Sequence, residues 1–157
     1  MVMSVYDKMF DRIIEKALNI LFEKGANIYT FALYYDHENH AVSVFADTKS
    51  NSKSSCKKSN EFAREQFKKC IFEKNLVSAA NWSKVPERSF SLGDFKFGSL
   101  GWESFKTPNN SAPFYIAMVE AIFRHSDKIA SLTGSPEELI FCCSNQDWEV
   151  GFSWFYQ

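Results

Sequence analysis

The stretch IYTFALYYDHENHAVSVFAD, residues 28–47, decides the fold. Successive side chains of a strand point to opposite faces, so Tyr29, Phe31, Leu33 and Tyr35 share one face while Ile28, Thr30, Ala32 and Tyr34 share the other. Both faces are largely apolar, and the strand is expected to be covered on both sides. Asp36-His37-Glu38-Asn39-His40 supplies turn chemistry, and residues 41–46 (AVSVFA) return as the partner strand. Residues 28–47 therefore read as a β-hairpin.

Upstream of the hairpin, Ser4 is placed to cap a helix. Tyr6, Met9, Phe10, Ile13, Ile14, Ala17, Leu18, Leu21 and Phe22 recur at three- and four-residue steps, and Gly25 closes the pattern. Asp7, Lys8, Asp11, Arg12, Glu15 and Lys16 occupy the opposite face, so this helix packs one-sidedly on a sheet. Downstream, residues 49–60 (KSNSKSSCKKSN) show no apolar periodicity and read as a mobile loop. A second helix is expected from Ser59 through Ala63, Phe67, Cys70 and Ile71, ending at Asn75.

Residues 78–110 scatter Pro86, Gly93, Gly98, Gly101 and Pro108 among aromatics, which suggests short strands or a structured loop. Ser111 and Pro113 open a third helix with the stripe Phe114, Ala117, Met118, Ala121, Ile122, His125 and Ile129, and Gly134 stops it. Two strands follow, residues 139–144 and 150–156, around an Asn145-Gln146-Asp147 turn. The expectation is one α+β domain over residues 1–157, with about three helices packed on an antiparallel or mixed sheet.

Composition narrows the function classes. The chain has 157 residues, 45% of them hydrophobic and 16 of them Phe, enough to bury a substantial core. Asp7, Asp11 and Glu15 interrupt the first twenty residues, which fits neither a secretory signal nor a membrane span; a cytoplasmic chain without a membrane partner is expected. Cys56, Cys70, Cys142 and Cys143 lack CxxC spacing and read as reduced packing thiols, with Cys142 and Cys143 on opposite faces of a strand. The three histidines form no HExxH or HxH pair, so no metal or other cofactor is indicated; His125 reads as a core histidine, and His37 and His40 as exposed turn residues.

No GxSxG elbow, Cys-His signature or phosphate loop is present, and no enzymatic activity is expected. Net charge is −1, but its distribution is uneven. Residues 49–74 carry eight Lys or Arg against three acids, residues 1–48 four against seven, and residues 75–157 six against nine. The basic segment 49–69 could neutralise phosphates, yet it lacks interleaved aromatics for base stacking.

The residues IYTFALYYDHENHAVSVFADT resemble the strand-turn-strand signature of a widespread bacterial family in which an amphipathic helix precedes a Y-x-F-A-L-Y hairpin. The match is most specific from Tyr29 to Tyr34; Asn81-Trp82-Ser83 is similar to the family's Trp-containing middle segment, and the later helix and strand are similar in order. The resemblance implies an immunity protein, for example of a contact-dependent growth inhibition system, that neutralises a cognate toxin domain, a nuclease. A nuclease cleft that holds phosphates is basic, so a blocking partner presents carboxylates. Asp36, Glu38, Asp94, Glu103, Asp147 and Glu149 lie in turn-rich segments, and Trp102 and Trp148 stand beside two of them; these eight are the candidate partner-binding residues. A nucleic-acid-binding protein using the basic segment and an uncharacterised enzyme stay open as alternatives, and oligomeric state is not legible.

Overall fold

A computed structural model describes residues 4–83, 85–105 and 112–157. Four α-helices and one five-stranded mixed sheet form a single compact α+β domain: α1 (Val5–Glu23), β1 (Thr30–Asp36), β2 (Ala41–Asp47), α2 (Lys49–Phe72), α3 (Leu76–Asn81), β3 (Phe97–Ser104), α4 (Ala112–Ala130), β4 (Ile140–Cys143) and β5 (Phe152–Phe155). The strand order is β3-β2-β1-β4-β5. β1 pairs antiparallel with β2 and parallel with β4, while β2–β3 and β4–β5 are antiparallel.

Local chemistry sets the ends of α1. The Asp7 amide donates to Ser4 Oγ at 3.2 Å and the Ser4 amide donates to Asp7 Oδ2 at 2.7 Å, a reciprocal capping box. At the other end Gly25 takes φ +62°, its amide donates to the Phe22 carbonyl, and the Ala26 amide donates back to Leu21. That pattern satisfies carbonyls which a continuing helix would otherwise leave open.

The central strands β1, β2 and β4 are buried on both faces, as the β1 alternation requires, while the edge strands β3 and β5 are largely exposed. Phe31, Leu33 and Tyr35 join Phe141 and Cys143 beneath α1 and α4, packed on Phe10, Ile13, Phe114, Met118 and Ile122. Ala32 and Cys142 face the other way, against Leu92 and Phe95 of a short 3-10 turn (Leu92–Asp94) and its flank. Cys142 and Cys143 thus lie on opposite faces, as their adjacency predicts, and burial pushes the Cys142 thiol up to about 12. α1 also approaches β3 closely at Gly101, whose φ is +62° and where a Cβ would collide with the Ile13 carbonyl.

A clamp fixes the parallel pair. Arg88 Nη1 donates to the Tyr29 carbonyl at 2.8 Å and to Thr30 Oγ1 at 3.2 Å, and its Nη2 donates to the Glu138 carbonyl at 2.5 Å. The guanidinium also lies 3.4 Å from the Tyr29 ring centroid. One planar fork therefore binds the backbone where β1 and β4 both begin.

Two expectations require correction. Residues 49–60 are not a mobile loop; they form the first half of α2, which starts at Lys49 rather than near Ser59. Thr48 caps it by accepting from the Asn51 amide, Asn51 Nδ2 reaches Asp47 and the Asp94 carbonyl, and the Ser89 amide donates to buried Ser52 Oγ. Small side chains, Ser52 and Cys56, form the buried face, so no large apolar periodicity marks the helix. Asn75 does not simply end α2: Glu73 is its C-cap, and Asn75 caps α3, whose existence sequence periodicity did not indicate. The expected Ser111 cap of α4 and the end of the 78–110 segment lie outside the described residues.

Gly101→Ala should lower the unfolding free energy by about 2 kcal/mol or more, through the left-handed backbone penalty and displacement of α1 from β3. Chemical denaturation measures this. A change within about 0.5 kcal/mol, the scale of a neutral surface substitution, would contradict the close approach.

Candidate partner-binding site

Parallel strands end together. Because β1 and β4 run the same way, the Asp36–His40 turn and the loop after Cys143 emerge at one end of the sheet. The two turns are self-supporting. Asp36 Oδ1 accepts from the amides of Glu38 (2.9 Å) and Asn39 (3.1 Å), and Oδ2 accepts from Asn39 Nδ2 at 2.7 Å. In the second turn Asn145 Oδ1 accepts from the amides of Asp147 (2.9 Å) and Trp148 (2.8 Å). Short Asx side chains thus replace the backbone partners a strand would provide.

Ser144 joins the turns. Its Oγ accepts from the Tyr35 amide at 3.1 Å and donates to the Glu149 carbonyl at 2.8 Å, which holds the β4–β5 loop against β1. Asp36, Glu38 and Glu149 stand near Tyr34 as a result, while Asp147 lies toward Tyr115 on the helix-covered face. The Tyr34 hydroxyl is held above its ordinary value first by burial and then by Asp36, Glu149 and Glu38. Tyr115 on α4 is likewise raised, by burial foremost and with Asp147 among the contributors. Asp36 itself lies below the ordinary carboxylate range, chiefly through its hydrogen bond from Asn39.

Beside this acidic end runs an apolar groove between α4 and β5, enclosing about 1060 Å³. Ile116, Val119, Phe123, Phe152 and Trp154 contribute to its apolar surface, and among the described residues Glu120 and Asp147 are the charged ones that line it. Ile116 and Phe123 are more than half exposed, and Trp148, at the mouth of the β4–β5 loop, is 70% exposed. An exposed indole, an apolar groove and carboxylates at one end of the sheet are what a binding anchor and its steering field require.

The eight sequence candidates do not form one set. Asp36, Glu38, Asp147, Trp148 and Glu149 come together at the sheet end. Glu103 and Trp102 lie on strand β3, at the far edge of the sheet, rather than in a turn. Glu103 is engaged with α1, 2.6 Å from Arg12 Nη2 and 3.9 Å from Lys16 Nζ, so its charge is already compensated. Asp94 sits in the 3-10 turn before β3 begins, at the opposite end of the sheet, where its carbonyl accepts from Asn51. The groove itself escaped the sequence reading. Ile116, Val119 and Phe123 form a second stripe on α4, offset from the core stripe, and that spacing is the signal that marks it.

Other chemistry-bearing residues serve packing. His125 Nε2 lies 2.9 Å from Asp11 Oδ1, which also accepts from Arg124, so the pair ties α4 to α1. His37 and His40 are exposed in the turn, with the His37 ring against Tyr35. Among the described residues, no three or more His, Cys, Asp or Glu converge as metal ligands would. No described helix is long and apolar enough to cross a membrane. No family model, curated protein or solved structure matches the chain.

Asn39→Ala should raise the Asp36 pKa toward the ordinary value of about 3.9. A depressed folded-state pKa stabilises the turn above the unfolded value, and that contribution is lost as pH falls through the folded value. Carboxyl titration by NMR of the two proteins should therefore show the substituted one protonating at higher pH. Superimposable Asp36 curves would contradict the assigned cause.

Proposed function

We propose that this chain is a protein-binding module whose acidic sheet end and adjoining groove engage a basic partner, and that it neutralises a cognate toxin nuclease domain. The carrying observation is that the two turns bring four carboxylates to one end of the sheet, Asp36, Glu38 and Glu149 near Tyr34 and Asp147 on the groove, with Trp148 exposed in the second turn. Each acid is unremarkable alone. Together, with no lysine or arginine lining the groove among the described residues, they attract a cationic surface and repel a nucleic acid.

The toxin reading rests on the resemblance of residues 28–48 and on this charge complementarity. A nuclease must hold phosphates, and a carboxylate-bearing surface competes for the same cations. Trp148 provides the desolvated contact that converts steering into residence time. Inhibition in this account is stoichiometric and needs no chemistry by the chain.

One observation favours the alternative of nucleic-acid binding. Since α2 is a rigid helix, Lys53, Lys57, Arg64 and Lys68 fall along one side of it, a better phosphate track than a loop would be. Salt separates the readings: phosphate binding by α2 loses affinity steeply with ionic strength, whereas a complex anchored by Trp148 loses less.

The test pairs the chain with a candidate toxin nuclease domain encoded beside it. Reversing Glu38 and Glu149 together, or replacing Asp147 by Lys, should weaken binding by about tenfold or more, mainly through the association rate. Trp148→Ala should cost about 2 kcal/mol, expressed in dissociation. Thermal melting should stay near that of the unsubstituted chain, and reversal of Asp94 should leave affinity unchanged. Unaltered affinity in all the acidic-end variants would sink the proposal.

A further inference from the structure

The second unpartnered surface is the α2–α3 arm. Cys56 is the last fully buried residue of α2, and Asn60 makes a 3.5 Å contact to the Pro86 carbonyl. From there to Phe72 the helix runs about 18 Å at 1.5 Å per residue, with α3 as its main helical neighbour. Phe62 and Trp82 lock the base of the arm edge to face at 5.6 Å.

The tip is apolar where a solvent-facing helical turn should be polar. Phe72, Leu76 and Val77 are 87%, 72% and 84% exposed, and Ile71 beside them is 43% exposed. They cluster because α2 ends at Phe72 and α3 begins at Leu76, with Lys74 in the left-handed conformation (φ +57°) that reverses the chain. Lys68, Lys69 and Lys74 lie close to the tip in sequence, against Glu73 and Glu65, the latter 3.6 Å from Lys68 Nζ. Leaving three large apolar side chains in water forgoes about 1.5 kcal/mol or more for each, so a partner that covers them gains free energy.

The same chain carries a surface of complementary form. The α4–β5 groove is apolar along Ile116, Phe123 and Phe152, its charged residues among those described are Glu120 and Asp147, and neither α2 nor α3 contributes to its lining. An apolar knob with a basic collar faces an apolar groove with an acidic rim. We infer that the chain self-associates, the α2–α3 tip of one copy seating in the α4–β5 groove of another. The contact is heterologous, so it closes either by reciprocal exchange of arms between two copies or by continuing from copy to copy. It also occupies Asp147, so a basic partner and a neighbouring copy compete for that side of the groove.

Sedimentation velocity on the chain alone, with no toxin present, tests this independently of the proposed function. The unsubstituted chain should associate at micromolar concentration, and added salt should weaken it as the collar and rim are screened. Phe72→Asp combined with Val77→Asp should weaken association by about tenfold or more, as should Ile116→Asp combined with Glu120→Lys. These positions are exposed, and circular dichroism checks the fold; Lys68→Glu with Lys74→Glu is a milder arm variant giving the same expected result. The decisive arm mixes the two monomeric variants. Each retains one intact half of the contact, so the mixture should form heterodimers and nothing larger. A chain monomeric throughout would overturn the inference. So would association that survives the groove substitutions but not those of the arm, which would mean that arm packs on arm. A monomeric chain whose tip instead binds phosphatidylserine vesicles would overturn it in favour of a membrane surface.

Discussion

The parallel pairing of β1 with β4 is the constraint on which the rest of the arrangement depends. Arg88 holds it at the start of both strands, binding carbonyls of Tyr29 and Glu138 with one guanidinium. Parallel strands joined this way must finish at the same end. The two turns that follow them, each closed by its own Asx side chain, consequently stand side by side, and Ser144 fastens one to the other. Had β4 paired antiparallel with β1, Asp36 and Asp147 would lie at opposite ends of the sheet. The acidic site is a product of topology more than of local composition.

That origin explains which parts were legible in the sequence. α1, the β1–β2 hairpin, α4 and β4 bury large apolar side chains, so Phe10, Ile13, Leu33 or Met118 declare their faces directly. The first half of α2 hides because its inner face is Ser52 and Cys56. Hydrogen bonds from the Ser89 amide to Ser52 and from Asn51 to the Asp94 carbonyl hold it close, and Ser89 and Asp94 are distant in sequence. β3 hides because register shifts interrupt its pairing with β2 and positive φ angles at Ser99 and Gly101 break its alternation. Five of the eight candidate binding residues converge, and turn chemistry located them. Their neighbourhood was not legible, since the register of β1 on β4 leaves no local mark. Glu103 looked available in sequence only because Arg12 lies ninety-one positions away.

Charge and apolar exposure are segregated on the folded chain. Carboxylates collect at the sheet end, while lysines track along α2 and lie close in sequence to its apolar tip. A near-neutral net charge therefore conceals two surfaces of opposite sign, each with large exposed side chains at its centre. Apolar contact supplies affinity and the surrounding charge selects partner and orientation. His125 and Arg124 tie α4 to α1 through Asp11 without using any of the groove's own side chains.

The central claim is that the two turns following β1 and β4 form one surface for a basic protein. Amide hydrogen exchange, measured with and without a bound toxin nuclease domain, examines it residue by residue. The account predicts slowed exchange in residues 37–40 and 145–151 together, with the lysine-bearing helix α2 unchanged. Protection concentrated on α2, or in one of the two turns without the other, would contradict it.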